Sequence, residues 1–556
     1  MANRPQSFYG KAVVIRRASR SSLGRTPLAH GWLGLAMGAF LSFSCGKGGQ
    51  SSAVGETGGT TGSGGAASTG TGGGATAQGG SGGAAGGLGG AGGEVAGAGG
   101  SGGDAGMTID SGGTPTGGDG AAGSTNDASS DAAAAPTVVE TVDVSDVWSG
   151  QPVFFSLITR GDQQFAAFYD ATERMTVGVR SLSSSTWKLA VLPTTLGWDS
   201  HNYVTMAIDS GGFIHVSGNM HDVPLIYFRT TRPLDIDSFQ QVPTMVETAT
   251  ETACTYPQFF PDPGGALVFA YRFGQSGNGN YIFNRYNVRT TTWLRIINTP
   301  LLDGQGLYSA YPVGPILGPD GFYHLVWVWR DTPDAATNHD LSYAKSRDLI
   351  NWADADGTFL TLPITLAEGA RVDPVPPMGG IINNNTKIGF DAQNRPIVAY
   401  HKNDAAGNTQ LFNARFENGA WVPHQASQWT YKWAFGGNGT LVFVIQVFEP
   451  KLQPDGSLVQ TWYHAQYGGF GAFRLDPTTL ATIATIPPPL TYPRELDTPQ
   501  STTPGMVVRW QADTGSGPDP KVLYMLRWET LESNRDMPRS PIPPPTRLRL
   551  YAVRQP

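Results

Sequence analysis

Within residues 201–272, two histidines, a tyrosine and an arginine supply the side chains that could bind and deprotonate an acidic substrate. His201 lies in Trp198-Asp-Ser-His-Asn-Tyr-Val204, and His221 lies in Val216-Ser-Gly-Asn-Met-His221. Each falls at a strand–loop junction near an asparagine, Asn202 and Asn219. One such histidine alone reads as a packed ring satisfied by backbone groups; two in adjacent strands make a site equally credible. Tyr256 opens one strand and Arg272 ends the next, with Pro263-Gly-Gly265 between them as a tight turn. An antiparallel return would bring the phenol and the guanidinium to the same end. The glycines in Phe273-Gly-Gln-Ser-Gly-Asn-Gly279 let backbone approach a ligand closely. No Gly-Lys-Ser follows, so this is not a phosphate loop.

These residue types suit β-elimination at a uronic acid. The C5 proton becomes acidic once the neighbouring carboxylate is neutralised, which Arg, or His⁺ with Asn, can do through charge-assisted hydrogen bonds. A base then takes that proton and an acid protonates O4 of the leaving sugar. One tyrosine serves both roles in syn elimination if nearby cations lower its pKa from about 10. Hydrolysis would call for a pair of carboxylates, and Asp199, Asp222 and Asp340 form no clear pair by spacing. His324, His339 and His401 fall on or beside strands of neighbouring repeats and are candidate ligands for a structural zinc or calcium. Without close ligand spacing, buried hydrogen-bonded histidines are the default, and no cofactor is expected.

The elements that must position these residues are strands. After residue 136 no long amphipathic helix pattern is visible; short β-branched and aromatic runs alternate with Gly, Pro, Asn and Asp clusters. The runs repeat. Leu267–Arg272 leads to Ile282–Tyr286 and then Trp293; His324–Arg330 leads to Leu341–Lys345 and Trp352; Pro396–His401 leads to Leu411–Arg415 and Trp421. Phe165–Tyr169 with Val177–Ser181 and Trp187 follows the same plan, and three looser copies bring the total to seven. At roughly 60 residues each, these are four-stranded blades, predicting an all-β, seven-bladed propeller. Two β-sandwiches are the rival fold. Ser346, Asp348 and Trp352 resemble a degenerate Asp-box, a turn motif of such propellers that bears on fold rather than chemistry. The segment Val138–Val142 is expected to pair with the final strand near Leu548–Tyr551 and close the ring, removing exposed edges.

The remainder of the chain reads as export and attachment. Residues 1–45 combine a basic leader, an apolar run from Gly31 to Phe43 too short to span a bilayer, and Ser44-Cys45-Gly46. This resembles a lipoprotein signal peptide with Cys45 as the lipidated residue, although Ser42 stands where leucine is usual. An ordinary signal peptide and secretion are the alternative. Residues 46–135 hold nearly half of the 74 glycines and no aromatic residue, so they predict a disordered tether. Residues 136–556 form the folded domain. The other cysteine, Cys254, is expected as a small buried hydrophobe, and lipidation of Cys45 leaves no disulfide to form. A net charge of −7 without a basic stripe argues against a nucleic-acid partner. An outer-membrane or cell-surface monomer is expected, attached to the membrane by its lipid.

His201-Asn-Tyr-Val-Thr-Met-Ala-Ile-Asp209, Gly218-Asn-Met-His221, Thr255-Tyr-Pro257, Tyr271–Gly279 and Trp329-Arg-Asp331 to Tyr343 resemble the BNR-repeat-containing family. That family includes ulvan lyases, seven-bladed propellers that cleave rhamnose–uronate polysaccharides. The resemblance covers roughly residues 150–430. It implies a site built from His201, His221, Tyr256 and Arg272, plus a further tyrosine, Tyr311 or Tyr308. Asn202 and Asn219 would join the tyrosines in holding an anionic polysaccharide. Members acting as glycoside hydrolases on rhamnose–glucuronate linkages, and non-catalytic glycan binders, remain alternatives.

Overall fold

A computed structural model describes residues 135–556. The leader, Cys45 and the glycine-rich segment up to residue 134 lie outside the described residues. Among the described residues, helices are confined to 3₁₀ turns of three or four residues, so strands alone build the core. Among the described residues they pair into six sheets, five of four strands and one of nine, built from antiparallel units.

The first unit comprises Ser156–Arg160, Gln163–Tyr169, Arg174–Ser181 and Lys188–Thr195, and the second Val204–Ile208, Ile214–Gly218, Tyr227–Thr230 and Phe239–Gln241. The third comprises Cys254–Pro261, Leu267–Gln275, Asn278–Asn287 and Thr292–Arg295, and the fourth Ser309–Leu317, Tyr323–Arg330, Asn338–Ser346 and Trp352–Ala353. One parallel pair, Gly279 with Ser309, joins the third and fourth into a larger sheet that also takes Arg371–Asp373. The fifth and sixth units begin at Lys387–Phe390 and Ile445–Leu452. The last contains Met506–Ala512, Val522–Leu531 and Thr546–Arg554. Its fourth strand is Thr137–Val147 from the other end of the domain: Thr141 lies opposite Tyr551 and Val142 opposite Leu550, the expected closure. First strands of adjacent units touch, as Ser156–Arg160 does both Val204–Ile208 and Met506–Ala512. The fold is a propeller-type all-β architecture.

The repeated sequence pattern corresponds to the second and third strands of each unit, and its tryptophan begins or adjoins the outermost strand. Those central strands are covered on both faces, so they read as near-continuous apolar runs rather than alternating ones. Tyr323–Arg330 is buried at every position, with Trp327 and Trp329 each 1% exposed. The Asp-box resemblance corresponds to a real turn. Ser346 Oγ accepts the Leu349 amide at 2.9 Å, Asp348 Oδ1 accepts the Asn351 amide at 2.7 Å, and Trp352 Nε1 donates to the Leu349 carbonyl at 3.2 Å. Cys254 is buried, and desolvation with the nearby Glu251 charge pushes its thiol up to about 12.

Candidate active site

The second unit brings the two histidines together by register. Val204 pairs with Gly218, and His201 and His221 each lie three residues beyond that pair on opposite strands. The Asn219 amide donates to the Asn202 carbonyl at 3.3 Å, prolonging the ladder toward them. The rings stack with centroids 4.0 Å apart and planes 20° apart. One carboxylate spans both: Asp199 Oδ1 lies 2.6 Å from His201 Nδ1, and Oδ2 lies 2.5 Å from His221 Nδ1. The Asp199 carboxylate also accepts the His201 backbone N–H at 2.9 Å. Burial works against its charge, but the two imidazoles outweigh burial and hold Asp199 well below the usual carboxylate range. Both rings therefore donate from Nδ1, which leaves their Nε2 edges for other partners.

The third unit adds the phenol and the guanidinium. Thr255 pairs with Arg272 across Cys254–Pro261 and Leu267–Gln275, and the register slips between Thr255 and Gln258. Tyr256 sits in this bulge with φ 58°, a left-handed backbone that re-aims its side chain. Its ring centroid lies 5.6 Å from His201 and 6.1 Å from Tyr311, and the Arg272 guanidinium lies 5.2 Å from it. Arg272 is buried; one terminal nitrogen reaches Asp222 Oδ1 at 2.5 Å and Thr255 Oγ1 at 3.0 Å. Asp222 in turn follows His221, whose Nε2 lies 3.8 Å from its carboxylate. The expected four side chains thus adjoin one another.

Tyr311, not Tyr308, belongs to this group. Tyr311 Oη lies 2.7 Å from Ser276 Oγ, and the ring lies 4.6 Å from the Arg330 guanidinium. Arg330 is fully buried and donates to Tyr311 Oη at 3.3 Å and to Asn383 Oδ1 at 2.7 Å. Tyr308 packs instead on Trp329 and His339. The asparagines stand differently from the expectation. Asn219 turns its amide to Thr194 Oγ1 and the Thr195 carbonyl, at 2.8 and 2.9 Å, in the neighbouring unit. Asn202 is buried, and its carbonyl accepts the Tyr169 hydroxyl at 2.5 Å.

The expected metal ligands do not converge. His324 is held between the Tyr343 hydroxyl and Asp320, at 2.7 and 2.9 Å. His339 lies 2.9 Å from both Asp331 and Asp340. His401 is buried against Trp433, and desolvation lowers its pKa to about 3. His324 and His339 thus take their polar partners from their own unit, and His401 packs among aromatic rings. Among the described residues, the ligand-type group within reach of one ion is Asp199, His201 and His221. Its N···O separations of 2.5 and 2.6 Å are hydrogen bonds: two ligands about 2.0 Å from a tetrahedral zinc would stand about 3 Å apart.

Asp199, Asp222 and Arg330 are the partners that residue types alone did not place in the group. Arg330 carried a signal, because Trp329-Arg330 occupies the same repeat position as Tyr271-Arg272. For the carboxylates the signal was proximity in sequence, Asp199 two residues before His201 and Asp222 one after His221. Chemically, the assembly offers cationic N–H donors beside a phenol, which can bind a carboxylate and exchange a proton next to it.

Comparison with known proteins bears on the family and the fold. Residues 163–429 match the family described as BNR repeat-containing family member. The long-isoform ulvan lyase of Pseudoalteromonas sp. (strain PLSV) is 49% identical over 39 residues, 7% of this chain and 4% of that protein. The short-isoform ulvan lyase of Alteromonas sp. (strain LOR) is 26% identical over 131 residues, 22% of this chain and 25% of that protein. The matched stretches thus span no more than a quarter of these relatives. A crystallised polysaccharide lyase superposes with a TM-score of 0.52 at 11% identity, over 75% of this chain and 100% of its own, and so shares the fold.

Proposed function

From the match of residues 163–429 to the BNR repeat-containing family, we propose that the protein is a polysaccharide lyase acting on a uronate-containing, rhamnose-bearing polymer of the ulvan type. The observation that carries this reading is the stacked His201–His221 pair on a single carboxylate, beside Tyr256 and Arg272. The Arg272 guanidinium is a fixed positive charge beside the pair, suited to a uronate carboxylate. Because Asp199 takes both Nδ1 protons, each Nε2 is turned away from Asp199, and a ring that is also protonated there donates Nε2–H to that substrate group.

With the carboxylate neutralised, the C5 proton passes to the Tyr256 phenolate. The C4–C5 double bond forms as the C4–O4 bond breaks, and the same phenol returns the proton to O4. The adjacent guanidinium favours the phenolate by charge attraction. Hydrolysis fits less well, because the nearby carboxylates are engaged: Asp199 with the histidines, Asp222 with Arg272, and Asp340 with His339 and Arg371. We further propose export with attachment through Cys45, for which a Cys45→Ser chain released into the medium is the test.

Incubation with ulvan tests the reaction. Elimination raises ultraviolet absorbance from the unsaturated uronate in step with new reducing ends. New reducing ends without that chromophore would establish hydrolysis, and unchanged polymer length with retardation in a polysaccharide gel would establish a binding protein.

A further inference from the structure

A pocket of about 440 Å³ opens beside the histidine loop, between Trp433–Val442 and Ser533–Arg535. Its position is fixed by Asp536, a buried residue whose two oxygens face opposite ways. Oδ1 accepts the Ser200 amide at 3.0 Å, adjacent to His201, while Oδ2 accepts the Thr440 amide and hydroxyl at 2.8 and 3.0 Å. Thr440 itself lines the pocket. On the other side, Gly437 donates to Asp334 Oδ1 at 2.6 Å, and Asp334 precedes the strand Asn338–Ser346, which borders Arg330. The pocket is therefore tied both to the histidine loop and to the strand beside Arg330.

Its lining is mixed in a way that suits a sugar ring. The half-buried Phe435 with Leu441 and Val442 forms an apolar wall. Asn534 Oδ1 is buried without a hydrogen-bond partner among the described residues, an acceptor that a hydroxyl donor would satisfy. The exposed Arg535 sets positive charge at the mouth, its guanidinium braced by the carbonyls of Asn438 and Gly436 at 2.8 and 3.0 Å. We propose that this pocket is a distal subsite for one residue of an anionic, deoxysugar-containing chain. The sugar's methyl face lies on Leu441 and Val442, a hydroxyl donates to Asn534, and an acidic substituent faces Arg535. The inference rests on the polysaccharide reading above and assigns it a second point of contact.

Val442→Glu tests it by placing a carboxylate on an exposed part of the wall, and Phe435→Ala removes apolar surface without adding charge. Val442→Glu should melt with the wild type, and Phe435→Ala, whose ring also packs on Trp433, should melt slightly lower. On long polymer, kcat/KM should fall about tenfold through KM for Val442→Glu, and by a smaller factor for Phe435→Ala. On the shortest oligosaccharide that is cleaved, kcat/KM should stay unchanged. Equal losses on both substrates, or no loss on either, would overturn the subsite. If the wild type cleaves no polymer, the lyase reading fails separately, and polysaccharide-gel retardation still decides the pocket. Loss of retardation in Val442→Glu supports it, and mobility equal to that of the wild type overturns it.

Discussion

His201 and His221 are bound to each other through one residue: their rings stack 4.0 Å apart, and each donates Nδ1–H to a different oxygen of Asp199. Replacing Asp199 with Asn keeps the shape but removes the charge that holds both rings. Activity should fall about a hundredfold or more, and the pH–rate profile should shift, as a purely structural defect would not make it do. Steady-state rates across pH check this.

Asp199 also sets an acid limit on stability. Its folded carboxyl is held below the ordinary range, chiefly by the two imidazoles acting against burial. The unfolded state therefore takes up the proton first. The stabilisation is complete above about pH 4, the ordinary value, and disappears as pH falls through the lower folded value. Urea unfolding of wild type and Asp199→Asn should show their largest separation near neutrality, narrowing below about pH 4.

Tyr256→Phe removes one oxygen at the bulge. Turnover should drop about a hundredfold or more, with the melting temperature unchanged and polymer retained in an affinity gel. Turnover within about twofold of wild type would remove Tyr256 from the proton transfer.

Arg330 holds Tyr311 from below, over its ring and at its hydroxyl. Arg330→Met removes the charged donor shared by Tyr311 and Asn383 and should cost about 2–4 kcal/mol of stability. Arg330→Lys keeps the charge without the planar fork and should recover part of that stability while kcat remains reduced. Denaturant midpoints and kcat measured on both variants separate the two effects.

His401 is kept neutral by burial, with its pKa lowered to about 3. Unfolding lets it bind a proton near its ordinary pKa of about 6.5. Its contribution is therefore whole above about pH 6.5 and is lost progressively toward pH 3. His401→Gln should flatten the decline in stability over that window, as read from urea midpoints at several pH values.

Much of the fold could be read because the central strands of each unit repeat a legible pattern. Leu267–Arg272 and His324–Arg330 are apolar runs of six and seven residues that both end in arginine. The first strands were harder to read. Cys254–Pro261 and Ser309–Leu317 carry prolines and register slips where they serve the site rather than the core. The same holds for the site itself. His201, His221, Tyr256 and Arg272 stood out by residue type, whereas Asp199 acts through its two oxygens, a relation that spacing does not display. For Asn219, nearness to His221 in sequence says nothing of its φ of 57°, which accompanies the turn of its amide to Thr194. The histidines at 324, 339 and 401 recur at strand positions, the first two held by carboxylates and the last packed on Trp433.

Thr137–Val147 and Thr546–Arg554 are neighbours in space and lie at opposite ends of the domain sequence. During synthesis the last sheet therefore stays unfinished until the final residues emerge, whatever the earlier units have already done. A chain cut short before residue 546 would leave two long strands with bare backbone, a template for self-association. Completeness of the C-terminus thus determines whether the nascent protein remains a separate molecule.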